Sequence, residues 1–119
     1  MTVKPEDLAN TLRTRARQRQ TAEEVTRQRT LVAAREIVGD STLPPNARVW
    51  LIGSLPWGGF GERSDIDMVF DGVGRTEALA LADRVGERTG RHVDVLMLAE
   101  LPDEFRTRVL IEGTLLHGT

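Results

Sequence analysis

Three things are missing from the sequence, and each absence excludes a class of protein. None of the 119 residues is cysteine, which excludes a disulfide framework, a thiolate zinc site and a cysteine nucleophile. The longest apolar runs have five residues, at Ala78–Ala82 and Val95–Ala99, whereas a membrane helix needs roughly 20. The first ten residues, MTVKPEDLAN, contain no apolar core and no small-residue cleavage site typical of a secretory leader. We therefore expect a cytoplasmic protein without a membrane segment.

The composition is that of an ordinary globular domain, but its charge is unevenly distributed. Hydrophobic residues make up 39% and charged residues 29%, with a formal net charge of −2. Residues 1–40 carry eight Lys/Arg and six Asp/Glu, whereas residues 41–119 carry eight and twelve. Six arginines between positions 13 and 29 accompany only Glu23 and Glu24. A solvated helix face is the favoured interpretation of this run, and contact with a phosphate backbone or an acidic partner is the alternative. Of the possible partners, direct binding to nucleic acid is the less expected.

Hydrophobic periodicity and turn residues divide the chain into helices and strands. The stretch 5–39 predicts one interrupted helix or two, beginning at Pro5, with a capping box from Thr21 to Glu24. Three strands are predicted at Arg48–Ile52, Asp65–Phe70 and Arg91–Leu98. Two further helices are predicted at Glu77–Arg88 and Asp103–Glu112. This order favours a sheet covered by helices.

The predicted core comes from the inner faces of these elements. On the second strand Ile66, Met68 and Phe70 share one face. On the third strand Val93, Val95 and Met97 oppose His92, Asp94 and Leu96. The inner residues of the first and last helices are expected to be Val25, Leu31, Val32, Ala34, Ile37, Val38, Phe105, Val109 and Leu110.

Asp65 and Asp67 lie two apart on a predicted strand, so their carboxylates project from the same face. Carboxylate oxygens in this arrangement suit a hard cation such as Mg²⁺, which takes its remaining ligands from water and substrate phosphates. Without a cation the two charges repel, and we expect one of them to take up a proton. Asp94, on the polar side of the next strand, is expected to supply a third carboxylate.

Gly53 and Ser54 follow the first predicted strand, with ten residues between Ser54 and Asp65. A strand that ends in Gly-Ser presents free backbone N–H groups, and glycine lets a phosphate approach closely. Three acids, a phosphate cradle and two metal ions are the parts that in-line phosphoryl or nucleotidyl transfer requires.

The stretch GSLPWGGFGERSDIDMVF, followed by VDVLML, resembles the nucleotidyltransferase superfamily of DNA polymerase beta in its minimal, single-domain form. The family signature is Gly-Ser, a spacer of about ten, Asp-x-Asp and a later Asp. Here it falls on Gly53, Ser54, Asp65, Asp67 and Asp94, and the resemblance covers roughly residues 30–117. It implies an α/β (α+β) fold, a small mixed sheet covered by helices, with residues 1–29 as a helical extension and 30–119 as the nucleotidyltransferase domain.

The resemblance also implies roles for the matched residues. Asp65 and Asp67 bind Mg²⁺, Asp94 binds a second metal ion or deprotonates the attacking hydroxyl, and Gly53 with Ser54 holds the triphosphate of ATP. Several minimal members are antitoxins encoded beside a HEPN-type ribonuclease, and they transfer AMP onto a tyrosine of that toxin. The implied function is therefore an adenylyltransferase antitoxin with a HEPN-type partner, in a homo- or hetero-oligomer.

The chain departs from the family after the Gly-Ser pair. Many relatives continue with one or two arginines, whereas this chain has Leu55, Pro56 and Trp57, which leaves Arg63 as the nearest cation for the nucleotide. Two alternatives follow: a catalytically inactive protein of this fold that neutralises its partner by binding, or an adenylyltransferase for a small molecule such as an aminoglycoside.

For several residues the sequence allows more than one role. Trp57 and Phe60 suit either stacking on a base or anchoring of their glycine-rich loop. His92 and His117 are assigned no role. Leu8 and Leu12 are candidates for a dimer or partner surface.

Overall fold

The structure, a computed structural model, describes residues 4–119 and begins with one long helix, α1 (Pro5–Gly39). Residues 1–3 of the predicted extension lie outside the described residues. Pro5 starts the helix at a position that needs no amide donor, and Glu6 and Asp7 lie in the first turn. No glycine or proline occurs between positions 6 and 38. The helix is therefore continuous, and the boundary expected between residues 29 and 30 falls inside it.

The predicted interruption of this helix near Thr21 is wrong. The Thr21 hydroxyl donates to the carbonyl of Arg17 at 2.9 Å, instead of capping a new helix together with Glu24. The hydroxyls of four other threonines in this helix also donate to a carbonyl four residues back: Thr11, Thr14, Thr26 and Thr30. Because a threonine inside a helix can satisfy its hydroxyl on the preceding turn, it does not by itself mark a helix start.

Four strands form a mixed sheet in the order β3-β2-β1-β4. They are β1 (Arg48–Ile52), β2 (Ile66–Asp71), β3 (Val93–Met97) and β4 (Thr114–His117). β1 pairs antiparallel with β2 and β4, whereas β2 and β3 run parallel. The predicted mixed sheet covered by helices is confirmed, with β4 as an additional edge strand that the sequence did not predict.

Helices connect the strands and cover the sheet. They are α2 (Ser54–Trp57), α3 (Arg75–Thr89) and α4 (Asp103–Glu112), and a 3₁₀ turn spans Leu98–Glu100. α3 links the parallel strands β2 and β3, as a crossover between parallel strands requires. Within residues 4–119, no helix combines the length and the hydropathy that a membrane crossing needs.

The sheet is buried on both faces. On one face Ile66, Met68 and Phe70 are fully buried and pack with α1 and α3 residues, including Ala34 and Val85. The opposite face carries a smaller apolar cluster under α4 and the 3₁₀ turn: Trp50, Ile52, Val69, Leu98 and Val109. The predicted alternation along β2 and β3 is confirmed, because Val93, Val95 and Met97 pack on the first cluster and Leu96 on the second.

Three residues predicted to face the core are exposed instead: Val25, Val32 and Leu110. The sheet and the helices α2–α4 form what we call the body of the protein. The buried residues of α1 that face it are Thr30, Ala34 and Val38, each one turn after the last. Val32 points away from this row, and Val25 lies before the part of the helix that the body covers. On α4 only Val109 is fully buried, while Leu110 faces solvent.

Candidate active site

Strand pairing brings the predicted site residues to one corner of the sheet. Asp67 on β2 is paired with Asp94 on the parallel strand β3 and with Ile52 on the antiparallel strand β1. Gly53 follows Ile52 directly, and Asp65 directly precedes β2. The glycine corner and the carboxylates therefore converge because three neighbouring strands reach the same end of the sheet.

Gly53 lies close to the carboxylate of Asp67, with no room for a side chain between them. Its φ of +78° lies in the left-handed region, which side chains with a Cβ rarely adopt. A Cβ on Gly53 would lie 2.5 Å from Oδ2 of Asp67. Only glycine therefore fits this corner without a shift of the carboxylate.

The carboxylates interact with one another. Burial, the charge of Asp94, a hydrogen bond to Asp94 and the charge of Asp65 together raise the pKa of Asp67 from 3.8 to about 6, although the charge of His92 acts in the opposite direction. The expected proton uptake therefore falls on Asp67, but its causes differ from those the sequence suggested. Burial and Asp94 act more strongly than Asp65.

His92 lies beside the carboxylates of Asp65 and Asp94, although no role was predicted for it from the sequence. Its Nε2 lies 2.9 Å from Oδ1 of Asp94. Ligand atoms of Asp65, His92 and Asp94 all lie within 4.8 Å of one another, and these three side chains are exposed. The available signal was the spacing of two between His92 and Asp94, which puts both on one side of an extended segment.

Ser54 begins the short helix α2, whose first-turn amides point back toward the helix N-terminus at Gly53. The amides of Trp57 and Gly58 donate to the carbonyls of Gly53 and Ser54 at 3.0 and 2.9 Å. Only the amides of Ser54 and Leu55 precede these bonds in the turn, because Pro56 has no N–H. The corner therefore offers two helix-terminal amides to an anion, one fewer than a turn without proline.

Trp57 and Phe60 anchor the loop that follows this corner. The Trp57 Nε1 donates to the carbonyl of Glu112 at 2.8 Å, and the Arg108 guanidinium lies 4.2 Å from the Trp57 ring centroid. Phe60 is buried in the main core, with the Arg91 guanidinium 4.4 Å from its ring centroid. Of the two interpretations, anchoring is the one that these contacts favour.

Arg63 lies on the exposed loop two residues before Asp65. This loop and α1 line a groove of about 630 Å³, with Arg63 on one side and Arg19 and Glu23 on the other. Arg63 is thus near in sequence to the carboxylate corner, and it faces the N-terminal helix across the groove.

Comparison with known proteins adds to this geometry. No protein-family model and no curated protein matches the chain. A solved toxin–antitoxin structure with AMP-PNP is 22% identical over 76% of this chain and 73% of that chain, with a TM-score of 0.57. A double Asp-to-Glu variant of the MntA-HpeT toxin–antitoxin is 22% identical over 71% and 69%, with a TM-score of 0.56. A Tyr-to-Ala variant is 24% identical over 71% and 68%, with a TM-score of 0.53. The chain therefore shares the α+β fold of chains in these toxin–antitoxin structures.

Proposed function

We propose that the protein is a minimal nucleotidyltransferase that uses Mg²⁺ and transfers AMP from ATP to a tyrosine hydroxyl of a HEPN-type toxin, and so acts as an antitoxin. The observation that carries this proposal is the contact of Asp67 with both Gly53 and Asp94 at one corner of the sheet. A glycine-serine turn beside converging carboxylates is the arrangement that nucleotidyl transfer needs.

The residues at the corner fit a hard divalent cation. The donors are carboxylate oxygens, and after burial the neighbouring charges of Asp94 and Asp65 contribute to the raised pKa of Asp67. Asp65, Asp67 and Asp94 would hold Mg²⁺, with one or two ions shared among them. When bound, the metal supplies positive charge that offsets the charge on the phosphate oxygens.

The remaining steps, which are binding of the triphosphate and transfer of the proton, are carried out by residues of this protein. The backbone amides of Ser54 and Leu55, with the Ser54 hydroxyl, bind the triphosphate. The acceptor hydroxyl attacks the α-phosphorus, its proton passes to the carboxylate of Asp94, and the bond to the β-phosphate oxygen breaks with release of pyrophosphate. His92 keeps one oxygen of Asp94 hydrogen-bonded, which limits the rotation of that carboxylate.

The shared fold supports the choice of nucleotide and partner. The solved structures compared above are toxin–antitoxin structures, and one of them is described with AMP-PNP. An adenine nucleotide and a toxin protein are therefore the first substrates to test.

The test incubates the protein with ATP labelled at the α-phosphate, Mg²⁺ and the protein encoded by the neighbouring gene. We expect label on that partner. The double substitution Asp65→Asn/Asp67→Asn should abolish labelling and leave the fold intact, because it keeps side-chain size and removes metal affinity. Asp83→Asn, an exposed aspartate on α3, is the matched control and should label normally. Absence of label with the unaltered protein, or labelling by the double variant, would contradict the proposal.

A second candidate is a binding protein without catalysis that neutralises its partner by covering it. Pro56 favours it, because the turn that would hold the triphosphate lacks one amide, and Leu55 is buried where relatives carry a cation. Titration with ATP separates the two candidates. A pure binder should show no Mg²⁺-dependent ATP affinity and should still neutralise its partner after Asp65→Asn/Asp67→Asn.

A further inference from the structure

The N-terminal half of α1 projects from the body of the protein. A helix of 35 residues is about 52 Å long, and the molecule measures 66 × 30 × 20 Å. Its radius of gyration is 18.3 Å, against about 13.5 Å for a compact chain of this length. Residues 10–25 are all exposed, and the first buried residue of the helix is Thr30. Residues 5–19, which we call the arm, therefore project beyond the body, with Arg19 at the edge of the groove that α1 forms with the loop 61–64.

Such an arm is poorly stabilised by itself. An isolated helix of this length is marginal in water. Lys4, at the N-cap, provides no side-chain hydrogen bond to the first amides. Arg13 and Arg17 are four apart, as are Arg15 and Arg19, so like charges lie above one another on the helix surface. The arm would therefore gain stability from a partner that covers it and carries negative charge.

One side of the arm continues the side on which the helix packs against the body. Eighteen residues make five helical turns, so Leu12 lies directly above Thr30, and Ala16 directly above Ala34. Thr30 and Ala34 are buried, whereas Leu12 is 56% exposed. Leu8, one turn before Leu12, is 54% exposed. An apolar stripe thus extends beyond the body without a partner within residues 4–119.

Arginines border this stripe on both sides. By helical rotation, Arg13 lies on one side of the stripe and Arg15 on the other, while Arg19 lies in line with the stripe, one turn beyond Ala16. No Asp or Glu occurs between Leu8 and Ala22 to neutralise them. The arm therefore presents leucines flanked by positive charge, which is the pattern of a helix that pairs with an oppositely charged helix.

We propose that residues 8–19 are a docking arm for a partner protein that presents a helix with an apolar stripe flanked by Asp and Glu. A second copy fits less well, because two such arms would bring their arginines together without an acid from either segment. Nucleic acid fits less well too, because phosphates would leave the leucine stripe uncovered. The proposal does not rest on the nucleotidyltransferase function, since docking needs none of the aspartates.

The test uses two synthetic helical peptides with the same leucine stripe, one flanked by Glu and the other by Lys. Fluorescence anisotropy measures their binding to the full chain at low and high salt. We expect the Glu peptide to bind, more weakly as salt rises, and the Lys peptide not to bind. Leu8→Ala/Leu12→Ala should weaken binding by about tenfold or more, because it removes buried apolar area from the complex. Arg13→Gln/Arg15→Gln should weaken it similarly and reduce the salt dependence.

The matched control is Leu79→Ala/Leu110→Ala, which truncates two leucines that are 47% and 50% exposed on the body. It should leave binding unchanged, and circular dichroism should show full helix content in every variant. Three outcomes would overturn the proposal. The first is equal binding of both peptides, or binding of neither. The second is a dimer of the chain that Leu8→Ala/Leu12→Ala dissociates. The third is tight binding of a DNA or RNA duplex that is abolished by the arginine substitutions but not by the leucine substitutions.

Discussion

Asp94 links His92 and Asp67: its Oδ1 lies at hydrogen-bond distance, 2.9 Å, from the His92 Nε2, and its carboxylate is hydrogen-bonded to Asp67. Three titratable groups are thus linked in one row at the corner of the sheet. The charge on His92 favours the ionised form of Asp67, and burial of Asp67 opposes its ionisation. The pKa of Asp67 therefore depends on both the charge of His92 and the burial of the Asp67 carboxylate.

Replacement of His92 should raise the pKa of Asp67 above its value of about 6, because the positive charge of His92 lowers that pKa. His92→Asn removes the charge and keeps a polar side chain at this exposed position. Carboxyl NMR of Asp67 across a pH series measures the change directly. His117→Asn, the other histidine of the chain, is the control and should leave the titration unaltered. An unchanged or lower pKa in His92→Asn would show that the histidine charge does not act on this carboxylate.

Stability should depend on pH through Asp67. Its folded-state pKa of about 6 lies above the ordinary 3.8, so between these values the folded protein holds more protons than the unfolded chain. The free energy of unfolding therefore falls as pH rises through this range. Asp67→Asn removes the effect, and its Tm should exceed that of the unaltered protein by a few degrees at pH 8 and match it near pH 4. The variant Asp83→Asn should follow the unaltered protein at both pH values. A variant that is less stable at pH 8 would contradict the expected sign.

Metal binding should follow the same titration. Mg²⁺ requires the ionised carboxylate, so Mg²⁺ should raise the Tm of the unaltered protein at pH 8, and this gain should shrink below pH 6. Asp67→Asn should show little gain at either pH. Calorimetric titration with Mg²⁺ measures the affinity independently of unfolding. Equal Mg²⁺ affinity at pH 5 and pH 8 would exclude Asp67 as a ligand.

Much of the sheet could be predicted because alternation of polar and apolar residues is a local property. β1 has the predicted bounds, and Ile66, Met68 and Phe70 are buried as expected. β4 could not be predicted in this way. Its four residues are a strand because they pair with β1, where Leu51 lies opposite Thr114. A contact between distant segments has no signature in the short sequence that makes it.

The buried faces of the helices show the same limit. An apolar residue on a helix indicates a candidate inner face, but it does not tell how far the body extends along that helix. Val25 and Val32 are exposed for this reason, and Thr30 takes an inner position because its hydroxyl donates to the Thr26 carbonyl.

Convergence of the site could be predicted from residue spacing, but its electrostatics could not. Gly53, Asp67 and Asp94 lie at or near the ends of three predicted strands that pair side by side, which brings them to one corner of the sheet. The contact of His92 with Asp94 and the stronger influence of Asp94 on Asp67 depend on side-chain conformation and burial.

Gly53→Ala should be destabilising and should weaken metal binding together. The substitution places a Cβ 2.5 Å from the Asp67 carboxylate at a φ of +78°. We expect a loss of about 1–3 kcal/mol in the free energy of unfolding, because the backbone is strained and the carboxylate must move. Gly61→Ala is the control, since no atom lies within 4 Å of the added Cβ. Denaturant unfolding and Mg²⁺ titration give the two readouts. Two variants of equal stability and equal Mg²⁺ affinity would argue against the close contact.

Trp57→Phe should lower stability and leave ATP affinity unchanged. Phenylalanine keeps a ring beneath the Arg108 guanidinium but loses the hydrogen bond from Nε1 to the Glu112 carbonyl. The cost should be about 1 kcal/mol in the free energy of unfolding, measured by denaturant titration. Arg108→Gln serves as a companion variant, because it removes the cation above the ring and keeps the hydrogen bond. If Trp57→Phe instead weakens ATP binding at constant stability, Trp57 stacks on the base and the anchoring interpretation is wrong.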